Sequence, residues 1–239
     1  GGNLTMRNIG ANSSMQHAKS AGTYSIQGDV TLINNGTGSG NQYLIFGNNN
    51  GAIITIGGDA NITNSSPSST GNHNLYMCNY GTMTINGNTT VTNDGGGVSK
   101  FLYMGNAGDI TFNGSIDITN NCSATNSSLY LNHNTASNNT YNGDIRIKST
   151  HTSSDGIFFG RGLGSATLAD TKTISIPGVD TDNFIGGELY IRNLTQLGTA
   201  SQTLELASTC LWFNCYNSTW NGNIDIKAPL LYNTDCTFN

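Results

Sequence analysis

The chain has 239 residues, 36% hydrophobic and only 10% charged, with 31 Gly, 3 Pro and a formal net charge of -5. Its nine Lys and Arg are scattered singly, so no basic stripe exists to neutralise a phosphate backbone, and nucleic acid is not an expected partner. No apolar run approaches the ~20 residues that a membrane helix needs, and short apolar alternations between turn-rich clusters mark strands and exclude a disordered chain.

In chain order those strands follow a repeat. "SIQGDVTLI" at 25 to 33 is followed by "TIGGDANIT" at 55 to 63, "TINGNTTVT" at 84 to 92, "TFNGSIDIT" at 111 to 119 and "TYNGDIRIK" at 140 to 148. A degenerate "TLADTKTISI" at 167 to 176 precedes "TWNGNIDIK" at 219 to 227. A second motif keeps step: "LIFGN" at 44, "LYMCN" at 75, "LYMGN" at 102, "LYLNH" at 129, "IFFGR" at 157, "LYIRN" at 189 and "LWFNC" at 211. Two motifs sharing one period place several strands at fixed positions in each repeat. The expected fold is all-β: a single-stranded parallel β-helix (a β-solenoid), right-handed, with about three strands per coil of roughly 27 to 30 residues. Residues 1–239 read as one continuous segment of a longer repeat array. A match between "GGNLTMRN" at 1 and "GGELYIRN" at 186 points to a larger repeat of 1–185 with the next copy starting at 186.

Side chains alternate faces along a strand, which assigns them to core or surface. Ile56, Ile85, Phe112, Tyr141 and Trp220 form one expected inward column, and Ile62, Val91, Ile118, Ile147 and Ile226 another. Thr84 and Thr111 are expected to be exposed. The pairs Asn86-Gly87, Asn113-Gly114, Asn142-Gly143 and Asn221-Gly222 sit between two strands and read as corners that need positive φ. Stacked Asn side chains there can also hydrogen-bond along the axis.

Candidates for chemistry are few. Cleavage of a glycosidic bond takes two carboxylates roughly 5 to 10 Å apart, and the repeat offers Asp29 with Asp59 just after the corner Gly; the rest read as turn formers or solvated strand residues. Four His at unrelated phases and five Cys without metal-ligand spacing predict no metal and no cofactor. Cys210, Cys215 and Cys236 fall in the last coils, where a disulfide forms if the compartment is oxidising, with no particular pair singled out. One outward column stands out: Tyr76, Tyr103, Tyr130, Phe158, Tyr190 and Trp212, preceded by Ile45. Aromatic faces in a row offer surfaces for sugar rings or for another protein; alternatively they stack on one another to hold neighbouring coils together.

The strings "FNGSIDITNN", "YNGDIRIKS" and "WNGNIDIKAP", with "SATLADTKTISIPG" between them, resemble the repeats of giant secreted bacterial surface proteins, namely filamentous-haemagglutinin-like β-helix adhesins and the adhesins of type IX-secreting bacteria. The resemblance implies an extracellular, cell-surface, non-enzymatic stalk or adhesin and leaves its ligand open. The open sheet edges of a solenoid end predict pairing with further copies or neighbouring repeats, and the aromatic column predicts lateral contact with surface glycans or host ligands. The alternative from another class is a carbohydrate-active or glycan-binding β-helix module of the polysaccharide lyase or hydrolase kind.

Overall fold

A computed structural model describes residues 1–67, 70–124, 126–134, 137–150, 156–176 and 184–239. Among the described residues no helix forms, and every strand pairing between sheet neighbours is parallel. Counting strands along the chain, every third one joins the same sheet, which gives three nine-stranded sheets and a three-sided β-solenoid. One coil runs through Thr82–Ile85 on the third sheet, Thr89–Gly95 on the first and Ser99–Met104 on the second; the next runs through Asp109–Phe112, Ile116–Asn120 and Asn126–Leu131. Thr84 pairs with Thr111 and Thr111 with Thr140, so these coils are 27 and 29 residues long. Towards the end they shorten: Thr195 pairs with Thr219 and Thr219 with Thr237, steps of 24 and 18 residues.

Both inward columns form. Ile62, Val91, Ile118 and Ile147 are in register and buried, as are Ile56, Ile85, Phe112 and Tyr141, with the last two rings stacked at 5.4 Å. One coil buries its apolar row only against the next, so the core is a continuous column through the solenoid. Ile226 departs from expectation and is only half-buried, because it lies near the open last coil. Thr84 and Thr111 are half-buried, not exposed. They belong to an unbroken rank from Ser25 through Thr55, Thr84, Thr111, Thr140, Thr167, Thr195 and Thr219 to Thr237, and neighbours at the strand spacing of about 4.8 Å shield each side chain.

The Asn-Gly pairs lie at one corner, between the third and first sheets, but not for the expected reason. None of Asn86, Gly87, Asn113, Gly114, Asn142, Gly143, Asn221 or Gly222 has positive φ. Gly is required there because the coils touch: a Cβ on Gly114 would lie 2.3 Å from the Gly87 carbonyl oxygen, and one on Gly143 would lie 2.1 Å from that of Gly114. The Asn side chains do form the ladder, Asn113 Nδ2 donating to Asn86 Oδ1 and Asn142 Nδ2 to Asn113 Oδ1, both at 2.9 Å. Thr171, in the degenerate copy, is the residue that takes positive φ at this corner among those described; the recurring positive φ lies at a different one. The residue directly after each second-sheet strand, from Ala18, Gly47, Cys78, Gly105, Asn132 and Gly160 to Asn193, Asn217 and Asp235, is left-handed in all nine coils. Gly and Asn recur there because they tolerate that conformation.

A second, internal ladder holds the corner between the first and second sheets. Asn34, Asn64, Asn93 and Asn120 are fully buried, and each of the first three donates Nδ2 to the Oδ1 of the next at 3.0 to 3.1 Å. Asn34 and Asn64 also donate to the backbone carbonyls of Asn74 and His73, closing the chain reversal where the second sheet begins. The strings at 1 and 186 are not structural equivalents: Leu4–Asn8 lies on the first sheet and Glu188–Arg192 on the second.

Candidate functional site on the outer aromatic face

The second sheet carries alternating residues inward and outward. Leu102 and Met104 are buried in the core while Tyr103 points out between them. Register then builds the expected column: Tyr76 opposite Tyr103, Tyr103 opposite Tyr130, Tyr130 opposite Phe158, and Phe158 opposite Tyr190, with Ile45 ahead of Tyr76. Ring centroids are 4.6 Å apart for Tyr76 and Tyr103, 5.0 Å for Tyr103 and Tyr130, and 5.1 Å for Tyr130 and Phe158, all near parallel. Between Phe158 and Tyr190 the separation grows to 6.0 Å and the rings tilt by 43°.

Two of the six members of this column are not open surface. Tyr130 is only 1% exposed and Phe158 8%, although both point away from the core. Arg161 covers them: its guanidinium lies 5.3 Å from the Tyr130 ring centre and 5.6 Å from that of Phe158, and it donates to the Tyr130 hydroxyl. His133 packs edge-on against Tyr103 and Tyr130. Burial, followed by the neighbouring Tyr76 and Tyr130, pushes the Tyr103 phenol well above its usual range, and burial together with Arg161 holds the His133 imidazole below its own. These rings act as cross-strand packing between coils, worth about 0.5 to 1.5 kcal/mol per pair beyond area burial.

Trp212 is not the next member of the column. Tyr190 is opposite Asn214, and Trp212 is opposite Glu188, two residues away on the same outer face. The shift arises because Phe213 and Cys215 take the inward positions while Leu211 stays 37% exposed. With Asn214 in place of a ring the stack ends, and a groove of about 560 Å³ opens, lined by Phe158, Arg161, Glu188, Tyr190, Trp212, Asn214 and Tyr232. Tyr232 is opposite Asn214, is 47% exposed, and meets Trp212 edge to face at 6.0 Å. Three of the six aromatic residues singled out by sequence therefore meet in one groove, and Tyr76, Tyr103 and Tyr130 do not line it. Arg161, Glu188, Asn214 and Tyr232 were not foreseen; only Tyr232 carried a signal, as an aromatic next to Leu231 in the last coil.

The carboxylates considered for catalysis are committed to the turns. Asp29 Oδ1 accepts the backbone N–H of Asp59 at 2.9 Å, and Asp59 Oδ1 accepts that of Asn88 at 2.8 Å. Asn3 accepts from Asp29 and Asn88 from Ser115 at the same position in other coils, so this is a chain of side-chain caps joining successive corners. Among the described residues no group of three or more His, Cys, Asp or Glu gathers as a metal site, and no helix is long and apolar enough to cross a membrane.

The fold and its ladders define a β-solenoid repeat protein. Compared with protein-family models, with curated proteins and with solved structures, the chain matches none.

Proposed function

We propose that this chain is a rigid, non-enzymatic segment of an extracellular bacterial surface fibre or adhesin that makes its lateral contacts through the aromatic groove. The groove carries the reading. Its volume falls in the range of small-ligand sites, and Tyr190, Trp212 and Tyr232 expose flat faces beside Arg161, Glu188 and Asn214, a combination suited to the apolar faces and hydroxyls of a glycan. Among the described residues Glu188 is the one carboxylate that lines it, which offers a hydrogen-bond acceptor for sugar hydroxyls. Low charge, the resemblance of the repeats to secreted surface proteins and the stiffness of three hydrogen-bonded sheets support the fibre role.

End to end, the partner we propose is another coil, either covalently continuous or from a further copy. The repeat supports this, since each coil buries its apolar row against a neighbour of the same kind. The test is titration with a panel of soluble oligosaccharides, followed by Trp212 fluorescence and calorimetry. Saturable binding lost in Trp212→Ala and Tyr190→Ala, and kept in Tyr76→Ala, is the expected result. Binding that survives both groove variants, or depolymerisation of the glycan, refutes the reading.

A further inference from the structure

Cys215 and Cys236 come from consecutive coils and meet inside the last corner. Cys215 is 1% exposed on the inward face of Trp212–Tyr216, and Trp220 Nε1 donates to its Sγ at 3.4 Å, which places the sulfur between the second and third sheets. Cys236 precedes Thr237, which pairs with Thr219, so Cys236 stacks over the buried Ser218 on the inward side of the third sheet. Cys236 is the one residue from Leu231 to Asn239 that is not exposed, and it packs against the core. Both thiols are free, and that of Cys236 lies within interacting reach of Cys215. Two of the other thiols bond to backbone carbonyls instead: Cys210 donates to Phe184, and Cys78 to Asp109.

We infer that Cys215 and Cys236 are a disulfide-forming pair that staples the narrow last coil to the one before it. The Cys236 thiolate, the less buried of the two, attacks a small-molecule disulfide such as oxidised glutathione, forming a mixed disulfide and releasing one thiolate. Cys215 then loses its proton and attacks the Cys236 sulfur, forming the Cys215–Cys236 bond and expelling the second small thiol. The two protein thiols are oxidised by two electrons, and the external disulfide is reduced to two thiols. The bond matters because the step from Thr219 to Thr237 is only 18 residues, against 27 and 29 in the longer coils, so fewer side chains tie this coil to the one before it. A covalent link across the corner holds its edge in shape for the next coil. The inference rests on the extracellular reading for its oxidant in the cell, but its geometry does not.

The experiment uses the full chain, reduced, then equilibrated under native conditions with oxidised and reduced glutathione and digested after Lys and Arg without reduction. The expected product is two hydrogens lighter and links the peptide 193–227 to 228–239. The link persists in Cys210→Ser and is lost in Cys215→Ser, whose β-sheet circular dichroism is unchanged, and amide exchange across 231–239 is slower in the oxidised wild type. A link that requires Cys210, no link in the folded chain, or exchange that ignores oxidation overturns the assignment. Because the oxidant is supplied, failure here is a failure of geometry. Trapping thiols in the intact cell tests the extracellular reading separately: a pair that crosslinks in vitro yet is reduced in the cell keeps the assignment and refutes that location.

Discussion

Replacing Asn93 with Ala cuts the internal ladder in the middle. Asn64 then loses one acceptor but keeps the carbonyls of His73 at 3.0 Å and Phe101 at 3.3 Å, so its amide stays satisfied. Asn120 fares worse, because its Oδ1 receives its hydrogen bond from Asn93 and is buried away from water. One orphaned buried acceptor costs about 1 to 3 kcal/mol, and the void left by the amide raises the total to about 2 to 4 kcal/mol. The comparison is Asn113→Ala in the corner ladder, which deletes two bonds of 2.9 Å that are open to solvent. Water replaces them, and the cost is about 0.5 to 1 kcal/mol. At about 2 to 4 °C per kcal/mol for a chain of this size, thermal melting by circular dichroism should drop on the order of 10 °C for Asn93→Ala and about 2 °C for Asn113→Ala. Asn93→Asp adds a sign to the test. An ionised carboxylate faces the Asn120 oxygen, while a protonated one regains an O–H donor. The folded-state pKa of that Asp is therefore raised, and its penalty relative to wild type should shrink as pH falls. Equal melting of the two Ala variants would refute the argument that burial gives the internal ladder its weight.

Three further outcomes follow from the same geometry. Gly114→Ala should destabilise by about 1 to 3 kcal/mol or prevent folding, because its new methyl meets the backbone oxygen of Gly87 and not a movable side chain; denaturant titration reads this, and wild-type stability would show that the coils can separate locally. Ile118→Asp should unfold its neighbouring coils, seen as loss of amide protection across 89–149, since an unpaired carboxylate would sit in the apolar column. Burial and then the nearby Lys100 lower the His73 pKa from 6.5 to about 4. The unfolded chain binds that proton first, so stability is full above about pH 6.5 and declines as pH falls towards 4. His73→Gln should flatten that part of the melting profile; an unchanged profile removes His73 as its cause.

Much of the solenoid was legible because stacking forces like onto like. Ile85 above Ile56 and Val91 above Ile62 repeat the same residue classes at one period, and a parallel register converts that period directly into coil length. The internal ladder was less legible. Asn64, Asn93 and Asn120 carry no distinguishing signal within "ITN" and "VTN", and only the register shows that they turn inward. The positive-φ corner was misplaced because Asn-Gly carries the stronger local turn signal, while the left-handed position holds Ala18, Cys78 or Asp235 as readily as Gly, residues whose strain the surrounding coils impose. The coil beginning at Thr195 carries no legible copy of the repeat, since "TQLGTASQTLEL" has lost the Asn-Gly pair.

The shortened coils connect these errors to the candidate site. Matching "LWFNC" to "LYIRN" by their leading Leu makes Trp212 continue the aromatic column, but the coil between the two strands is 24 residues long, and Phe213 lies opposite Leu189. That two-residue displacement puts Asn214 where a ring would have closed the stack. In the longer coils the rings are consumed by one another and by Arg161, so Tyr130 is buried despite pointing outward. Where the coil shortens, Tyr190 faces Asn214 and loses its next stacking partner, and Trp212 and Tyr232 meet edge to face beside it. The groove is thus created by the break in the repeat. Restoring the stack with Asn214→Tyr should extend the packed column into the groove, raise melting by about 2 to 4 °C for a gain near 1 kcal/mol, and abolish oligosaccharide binding. A variant that gains stability and still binds would show that the ligand uses some other surface.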